Sequence, residues 1–251
     1  MVSSCYQRVM LKITGESLLG EREYGIDPAA ARNLAQKIKA VWQQHIQVAV
    51  VIGGGNIFRG IAGSKNGIDR ATADYMGMLA TVMNGMALED ALIKAEVPVR
   101  LQSALTMTSV AEPFLRKRAI HHLEKGRVVI LSAGTGNPYV TTDTGASLHA
   151  LELHCDVLMK ATKVDGVYDA DPTTHPQARR YQTLSYRDIV TQHLDIMDQA
   201  ALSMSMDNDL TTQVFELFAG DNLLRAVSGE PIGTVISNHV ETKFADEPSK
   251  K

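Results

Sequence analysis

The first segment with chemical potential is Lys12-Ile13-Thr14-Gly15-Glu16-Ser17, at the end of the apolar run Val9–Ile13. A lysine at the carboxyl end of a strand, beside a small Thr-Gly turn, can reach a phosphate while backbone N–H groups approach it closely. Read alone, the segment is better explained as a surface lysine before an ordinary turn. A second segment, Gly53-Gly54-Gly55-Asn56-Ile57-Phe58-Arg59-Gly60, directly follows Val48–Ile52. Three glycines remove every Cβ where the chain leaves the strand, so the backbone can wrap an anion, and Arg59 offers a planar fork to its oxygens. The pattern GxxxxGK[ST] is absent, and GxGxxG fails at Phe58. That leaves a phosphate loop of another type or a plain turn.

A third segment, Gly134-Thr135-Gly136-Asn137-Pro138-Tyr139-Val140-Thr141-Thr142-Asp143, follows the run Val128–Leu131. Asn137-Pro138 favours an extended turn. Thr141, Thr142 and Asp143 are ordinary helix caps, but one residue is enough to cap, and three in a row leave polar groups to spare. The fourth segment, Lys160-Ala161-Thr162-Lys163-Val164-Asp165-Gly166-Val167-Tyr168, continues into Asp169-Ala170-Asp171-Pro172. By itself it is a turn with an Asp-Pro stop. All four follow candidate strands, and a single crevice at the strand ends would collect them.

The elements that must position these residues are short β-branched runs alternating with longer stretches of helical period. Strands are expected at Val9–Ile13, Val48–Ile52, Val97–Leu101, Val128–Leu131, Val157–Lys160 and Val214–Phe218. Helices are expected at Pro28–Gln43, Arg70–Ala95, Ala111–Glu124, Gly145–Leu153, Asp195–Met206 and Asn222–Ser228. Such alternation argues for an α/β fold with a mainly parallel sheet covered on both faces. No Pro/Ser-rich linker or internal repeat interrupts it. One continuous domain over residues 1–237 is expected, with a softer division near residue 155 and a polar, disordered tail over 238–251. The helix Arg70–Ala95 carries Met76, Met78, Met83 and Met86 on more than one face. It must be buried on several sides, in the core or against another subunit.

Composition excludes several classes. Hydrophobic residues are 45% and charged residues 21% of 251, the balance of a soluble globular protein. No apolar run nears the ~20 residues of a membrane span, and the start lacks the pattern of a signal peptide. No membrane association is expected, and the expected location is cytoplasmic. Net charge is −3, giving no basic field for nucleic acid. Cys5 and Cys155 form no CxxC pair and no HExxH occurs, so neither a disulfide framework nor a protein-built metal site is expected.

Together, KITGE, GGGNIFRG, DYMGMLATVMN, SAGTGNPYVTTD and KATKVDGVYDADP resemble the UMP kinase branch of the amino acid kinase family, from about Val9 to Ile236. The glycine loop and Thr-Lys-Val-Asp-Gly resemble the wider family, whose other members phosphorylate carboxylates or carbamate. GTGNPYVTTD and the DYMGMLATVMN helix resemble the UMP kinase branch specifically. The resemblance implies a three-layer α/β/α sandwich with an acceptor-nucleotide half over about 1–155 and an ATP half over about 156–237. It implies phosphoryl transfer from ATP, with Mg²⁺ held mainly by phosphates and water, to UMP in pyrimidine nucleotide biosynthesis.

The resemblance also implies residue roles. Lys12, Ile13, Thr14 and Gly15 would meet the ATP phosphates, Gly55 would face ATP, and Arg59 would clamp phosphates. Thr162, Tyr168 and Asp171 would line the nucleoside part of ATP. Gly54 and Asp74 would face UMP, with Asp74 on its ribose. Thr135, Gly136, Asn137, Pro138, Tyr139, Val140, Thr141 and Thr142 would surround its uracil and phosphate. Asp143 and Asp198 resemble carboxylates that orient the lysine, completing a catalytic set with Lys12 and Arg59. A homohexamer, GTP as activator and UTP as inhibitor are implied for the branch, with Gly20, Glu21, Arg22, Glu23, Tyr24, Gly25, Arg100 and Arg127 as regulatory candidates. Two departures stand out. Ile13-Thr14-Gly15 replaces Leu-Ser-Gly, and Glu89 and Ile93 occupy positions that are basic in some GTP-responsive relatives.

Overall fold

The computed structural model describes residues 5–59 and 67–245. Gly60 of the glycine motif and residues 246–251 of the expected tail lie outside the described residues. Within them, ten strands form one sheet, with seven α-helices and a short 3-10 turn at Gly15–Leu18.

The centre of the sheet is built from the runs that the sequence marks as apolar. Strands β1 (Arg8–Ile13), β2 (Gln47–Ile52), β5 (Val128–Ser132) and β6 (Val157–Thr162) lie side by side in the order β6-β1-β2-β5. All three contacts among them are parallel. Beyond β5 come β3 (Val99–Ser103) and the two-residue β4 (Glu112–Pro113). Beyond β6 come β8 (Thr211–Glu216), β9 (Thr234–Ser237), β7 (Tyr181–Ser185) and β10 (Lys243–Phe244). Only the β8–β9 and β7–β10 contacts are antiparallel.

Successive side chains of a strand point to opposite faces, and each face has its own core. Val9, Leu11 and Ile13 pack with Val48, Val50 and Ile52 on one side. Helices α1 (Pro28–Trp42), α2 (Arg70–Lys94) and α7 (Asn222–Val227) cover that side. Met10, Ala49 and Val51 face the other way, against α3 (Arg116–Glu124) and α4 (Thr142–Glu152). A further cluster joins α5 (Tyr186–Gln192) and α6 (Gln199–Asp207) to β7, β8 and β9. The three layers follow from this two-sided burial. Cys155 packs at the edge of the second core, where burial pushes its thiol up to about 12.

Local chemistry moves several boundaries from their expected places. The expected helix Ala111–Glu124 begins only at Arg116, because Glu112–Pro113 pairs with β3 and a residue before proline resists helical backbone. Helix α4 starts at Thr142 rather than Gly145, with Thr141 accepting from the Asp143 and Thr144 N–H groups. Helix α6 starts at Gln199 rather than Asp195, capped by Asp198. Strand β3 lies two residues later than expected, and β8 starts three earlier, at Thr211. Part of the expected tail, from Asn238 on, is ordered, since Lys243–Phe244 pairs with β7. Among the described residues, no helix is long and apolar enough to cross a membrane.

Helix α2 divides its apolar residues between two sides. Met78, Val82, Leu88 and Leu92 are buried, whereas Tyr75, Met76, Leu79, Met83, Met86 and Ile93 are exposed.

Candidate active site

The four segments converge because β6, β1, β2 and β5 run in parallel and end in register. Ile13 stands opposite Ile52 on one side and Ala161 on the other, and Val51 stands opposite Leu131. The loops that follow therefore leave from one edge of the sheet, where open α/β folds bind ligands.

Lys12 and Lys160 are register partners on β1 and β6, so their side chains share a face. Both are nearly buried, and like charges there would repel. Asp143, in the first turn of α4, lies between them: Lys12 Nζ is 2.7 Å from Oδ1 and Lys160 Nζ is 2.8 Å from Oδ2. Lys160 also donates to the Ile196 carbonyl. Burial opposes the charge of Asp143, yet the two ammonium groups hold its carboxyl below the usual range. Burial, with the nearby Lys12 charge, lowers the pKa of Lys160 against the pull of Asp143. Two ammoniums and one carboxylate leave one positive charge in excess, fixed where an anion can use it.

Asp198 does not touch Lys12. It accepts from the Ala200 and Ala201 N–H groups, both at 3.1 Å, and from Thr144 Oγ1 at 2.7 Å. Thr141 Oγ1 donates to its other oxygen. Burial works against its charge, but these hydrogen bonds, led by those from Thr141 and Thr144, keep its carboxyl low. It fastens α6 to the start of α4 and so sets Asp143 in place.

The glycine loop is held by backbone contacts that leave no room for side chains. Gly53 N donates to Ile13 O at 2.9 Å. A Cβ on Gly15 would lie 2.7 Å from Gly53 O, and one on Gly54 would lie 2.7 Å from Gly77 O. Asn84, fully buried on α2, donates to Gly53 O at 2.7 Å and exchanges amide hydrogen bonds with Asn56. Asn56 in turn bonds the Gly25 backbone through its side chain and its carbonyl, tying the Gly20–Gly25 loop to the glycine loop. Arg59 pairs with Glu16, and Lys163 Nζ lies 2.8 Å from the same carboxylate.

Two clefts flank this centre. The smaller, about 210 Å³, is lined by Gly54, Gly55, Arg59, Asp74, Thr135, Asn137 and Val140–Thr142 among the expected residues, with Thr81 and Met78 from α2. Thr81 Oγ1 accepts from Ala133 N at 2.7 Å, and the buried His149 Nε2 lies 3.0 Å from Gly134 O, so the loop is held from both sides. Asp74 accepts from Tyr139 N at 2.8 Å and pairs with Arg70 at 2.9 Å. Gly136 rests on Ala104, Pro138 is half-buried, and the Tyr139 side chain is 70% exposed; none of the three lines the cleft.

The larger cleft, about 620 Å³, is lined by Lys160, Thr162 and residues 166–172, which include Tyr168 and Asp171, and closed by residues 192–196. Burial, with the Asp165 carboxylate beside it, pushes the Tyr168 hydroxyl up to about 12. Asp171 spends its carboxylate on the N–H and hydroxyl of Thr173. Asp143 follows Thr142 of the smaller cleft and bonds Lys160 of the larger, so the charged trio links the two.

Other expected residues sit apart from this centre. The Ile13 side chain is buried in the core, leaving only its backbone at the site, and Thr14 Oγ1 lies 3.5 Å from Ser17 Oγ. Glu21, Glu23 and Tyr24 are exposed, while Gly20 and Arg22 line another cleft, of about 530 Å³, which shares Thr162 with the larger one and takes in Glu16 and Lys163. Arg100 lies 3.6 Å from Glu112, and Arg127 Nη1 lies 2.9 Å from His122 Nδ1. Neither arginine reaches the two clefts that flank the lysines. Sequence reasoning passed over Lys160, Glu16 and Asn84. The signal for Lys160 was a lysine closing an otherwise apolar run, the same one that drew attention to Lys12.

The model of the amino acid kinase family matches residues 7–216. The crystal structure of UMP kinase from Bacillus anthracis is similar at 36% identity, with 96% of this chain and 99% of that one covered and a TM-score of 0.92. UMP kinase from Ureaplasma parvum is 33% identical over 92% of this chain and 98% of its own, with a TM-score of 0.87. Uridylate kinase from Archaeoglobus fulgidus is 32% identical over 91% and 99%, with a TM-score of 0.70. The chain belongs to the amino acid kinase family.

Proposed function

We propose that this chain is a UMP kinase, transferring the γ-phosphoryl group of ATP to UMP to give ADP and UDP in pyrimidine nucleotide biosynthesis. The observation that carries the reading is the Lys12–Asp143–Lys160 trio linking two clefts, in a chain similar over nearly its whole length to UMP kinases. In this reading ATP lies in the larger cleft along Thr162, Tyr168 and Asp171, its phosphates toward Lys12, Thr14, Gly15, Gly55 and Arg59. UMP lies in the smaller cleft along Gly54, Asp74 and the Thr135–Thr142 loop.

The chemistry asks little beyond charge and alignment. The attacking group is a phosphate oxygen that is already anionic, so no general base is needed. Two unit charges about 4 Å apart repel by roughly 4 kcal/mol at an effective dielectric near 20. Several such pairs must be offset before the phosphates meet. Lys12 carries the excess charge of the trio toward the transferring group, and Asp143 fixes its direction. Lys160 adds a second cation from the ATP side. Arg59 and Lys163 exchange Glu16 for phosphate oxygens, and the glycine N–H groups supply fixed dipoles. ATP brings its Mg²⁺ bound mainly by phosphates and water. The described residues hold no cluster of three or more His, Cys, Asp and Glu suited to a metal.

The same reading places the enzyme in the cytoplasm as a homohexamer, inhibited by UTP and responsive to GTP. The exposed apolar side of α2 supports assembly. Three residues of this chain stand against a GTP response. Glu89 is turned inward to accept from Leu101 N, and Arg100 and Arg127 already face Glu112 and His122.

The test is ADP release from ATP·Mg²⁺ with UMP, CMP, glutamate, aspartate or carbamate supplied in turn. Turnover is expected with UMP, and Lys12→Ala should lower kcat far more than it weakens UMP binding. Turnover with a carboxylate or carbamate but not with UMP would overturn the acceptor. Silence with all of them would make the chain a nucleotide-binding protein without catalysis.

A further inference from the structure

Past β9 the chain returns along the sheet edge and binds β7 and the residues just before it. Thr183 Oγ1 donates to Glu241 O at 2.7 Å, and Ser185 N donates to Thr242 Oγ1 at 3.0 Å. Thr242 Oγ1 donates to Asp188. Phe244 stacks on Tyr181, with ring centroids 4.5 Å apart and planes 19° from parallel. The Arg179 guanidinium carbon lies 3.7 Å from the Phe244 ring centroid. Ala245 N donates to Arg180 O at 2.8 Å.

Residues 179–181 are also the outer support of the larger cleft. Tyr181 N donates to Val167 O at 2.8 Å, and Asp169 N donates to Arg179 O at 3.1 Å. Arg179 N donates to Asp169 Oδ1 at 2.8 Å, and Arg180 Nε lies 3.2 Å from Asp165. In an extended segment, alternate residues direct their backbone groups to opposite sides. Arg179 and Tyr181 bond the cleft wall, while Arg180 turns its carbonyl to Ala245. The segment is thus held between the cleft wall and the returning chain.

We propose that Glu241–Ala245 is a clip that positions the wall of the nucleoside-triphosphate cleft, with Phe244 as its positioning residue. The assignment of ATP to this cleft rests on the function proposed above. Removing the clip leaves Arg180 O without its partner and takes the Phe244 ring from Arg179, whose guanidinium keeps its 3.7 Å approach to Asp169, so the strip behind the wall at 167–169 loses its outer support. The acceptor cleft on the other side of the trio keeps every contact described for it.

The experiment compares the full chain, a chain ending at Asn238, Phe244→Ala and the ring-preserving Phe244→Tyr. Amide hydrogen exchange and the Michaelis constants for ATP and UMP are measured on each. The truncation and Phe244→Ala should speed exchange at Asp169 and Tyr181. They should raise the ATP KM by roughly three- to tenfold, the effect of a few contacts of this size, with Phe244→Tyr restoring both. The UMP KM and kcat should stay within about twofold, since the clip touches nothing on the acceptor side. Unchanged exchange would overturn the clip whatever the substrate. Faster exchange with an unchanged ATP KM, or a parallel loss of kcat and UMP binding, would overturn its role at this cleft. A full-length protein that does not turn over ATP would overturn the parent reading instead, while the exchange comparison still decides the clip.

Discussion

At the scale of single residues, Asp143 carries more than its position at a helix start suggests. It meets two ammonium groups that adjacent strands bring to the same face. Replacing it with asparagine leaves both lysines nearly buried without a counter-charge, and breaking such a pair costs about 3–5 kcal/mol. The pH dependence has a definite sign. The carboxyl is held below its unfolded value, so its stabilisation is complete above about pH 4 and fades as pH falls through the folded value. Urea denaturation should show Asp143→Asn much less stable than the parent at pH 7, with the gap narrowing toward pH 3. A gap that stays constant across that range would mean that the carboxylate charge is not what stabilises the site.

At the scale of elements, Asn84 shows how a helix can set a loop it does not belong to. Its amide holds Gly53 O and Asn56 at once, and Asn56 continues to Gly25. In Asn84→Ala the Gly53 carbonyl and the Asn56 amide lose partners inside the protein, at about 1–3 kcal/mol for each group left unpaired. The glycine loop should loosen, raising KM for both nucleotides, whereas Lys12→Ala should act mainly on kcat. Steady-state kinetics of the two variants side by side would separate these effects. A wild-type KM for both substrates in Asn84→Ala would remove this amide network from the site.

The same scale explains what could be read in advance. The strands β1, β2, β5 and β6 declare themselves as apolar runs because both of their faces are buried, and the four loops follow directly from them. Strand β7, Tyr-Gln-Thr-Leu-Ser, and β9, Thr-Val-Ile-Ser, mix polar and apolar residues without a regular period and pair across about fifty intervening residues. Nothing local marks them. Strand β10 is legible only once β7 exists. Helix starts were missed where Thr141 and Asp198 act both as caps and as mutual hydrogen-bond partners. The placement of Lys160 opposite Lys12 comes only from strand register, since no motif links the two. The acceptor came from the resemblance around Thr135–Asp143, because the residues alone give a phosphate site without saying which phosphate.

For the whole molecule, the open question is what covers α2. Its exposed apolar residues recur at helical spacing, with Met76, Leu79, Met83 and Met86 on one stripe, and Met83 is 53% exposed. Its opposite face holds Asn84 and Thr81, which fix the glycine loop and the start of the acceptor loop. Assembly through this stripe would therefore press on a helix that shapes the acceptor cleft from behind, so subunit contact and UMP affinity should be coupled. Met83→Glu places a charge in the centre of the stripe without touching the buried face. Sedimentation velocity should show the parent as a hexamer and the variant as smaller species, with a higher UMP KM and an unchanged secondary-structure content by circular dichroism. A variant that still sediments as a hexamer would exclude this stripe from the interface, and a monomeric parent would refute the hexamer itself.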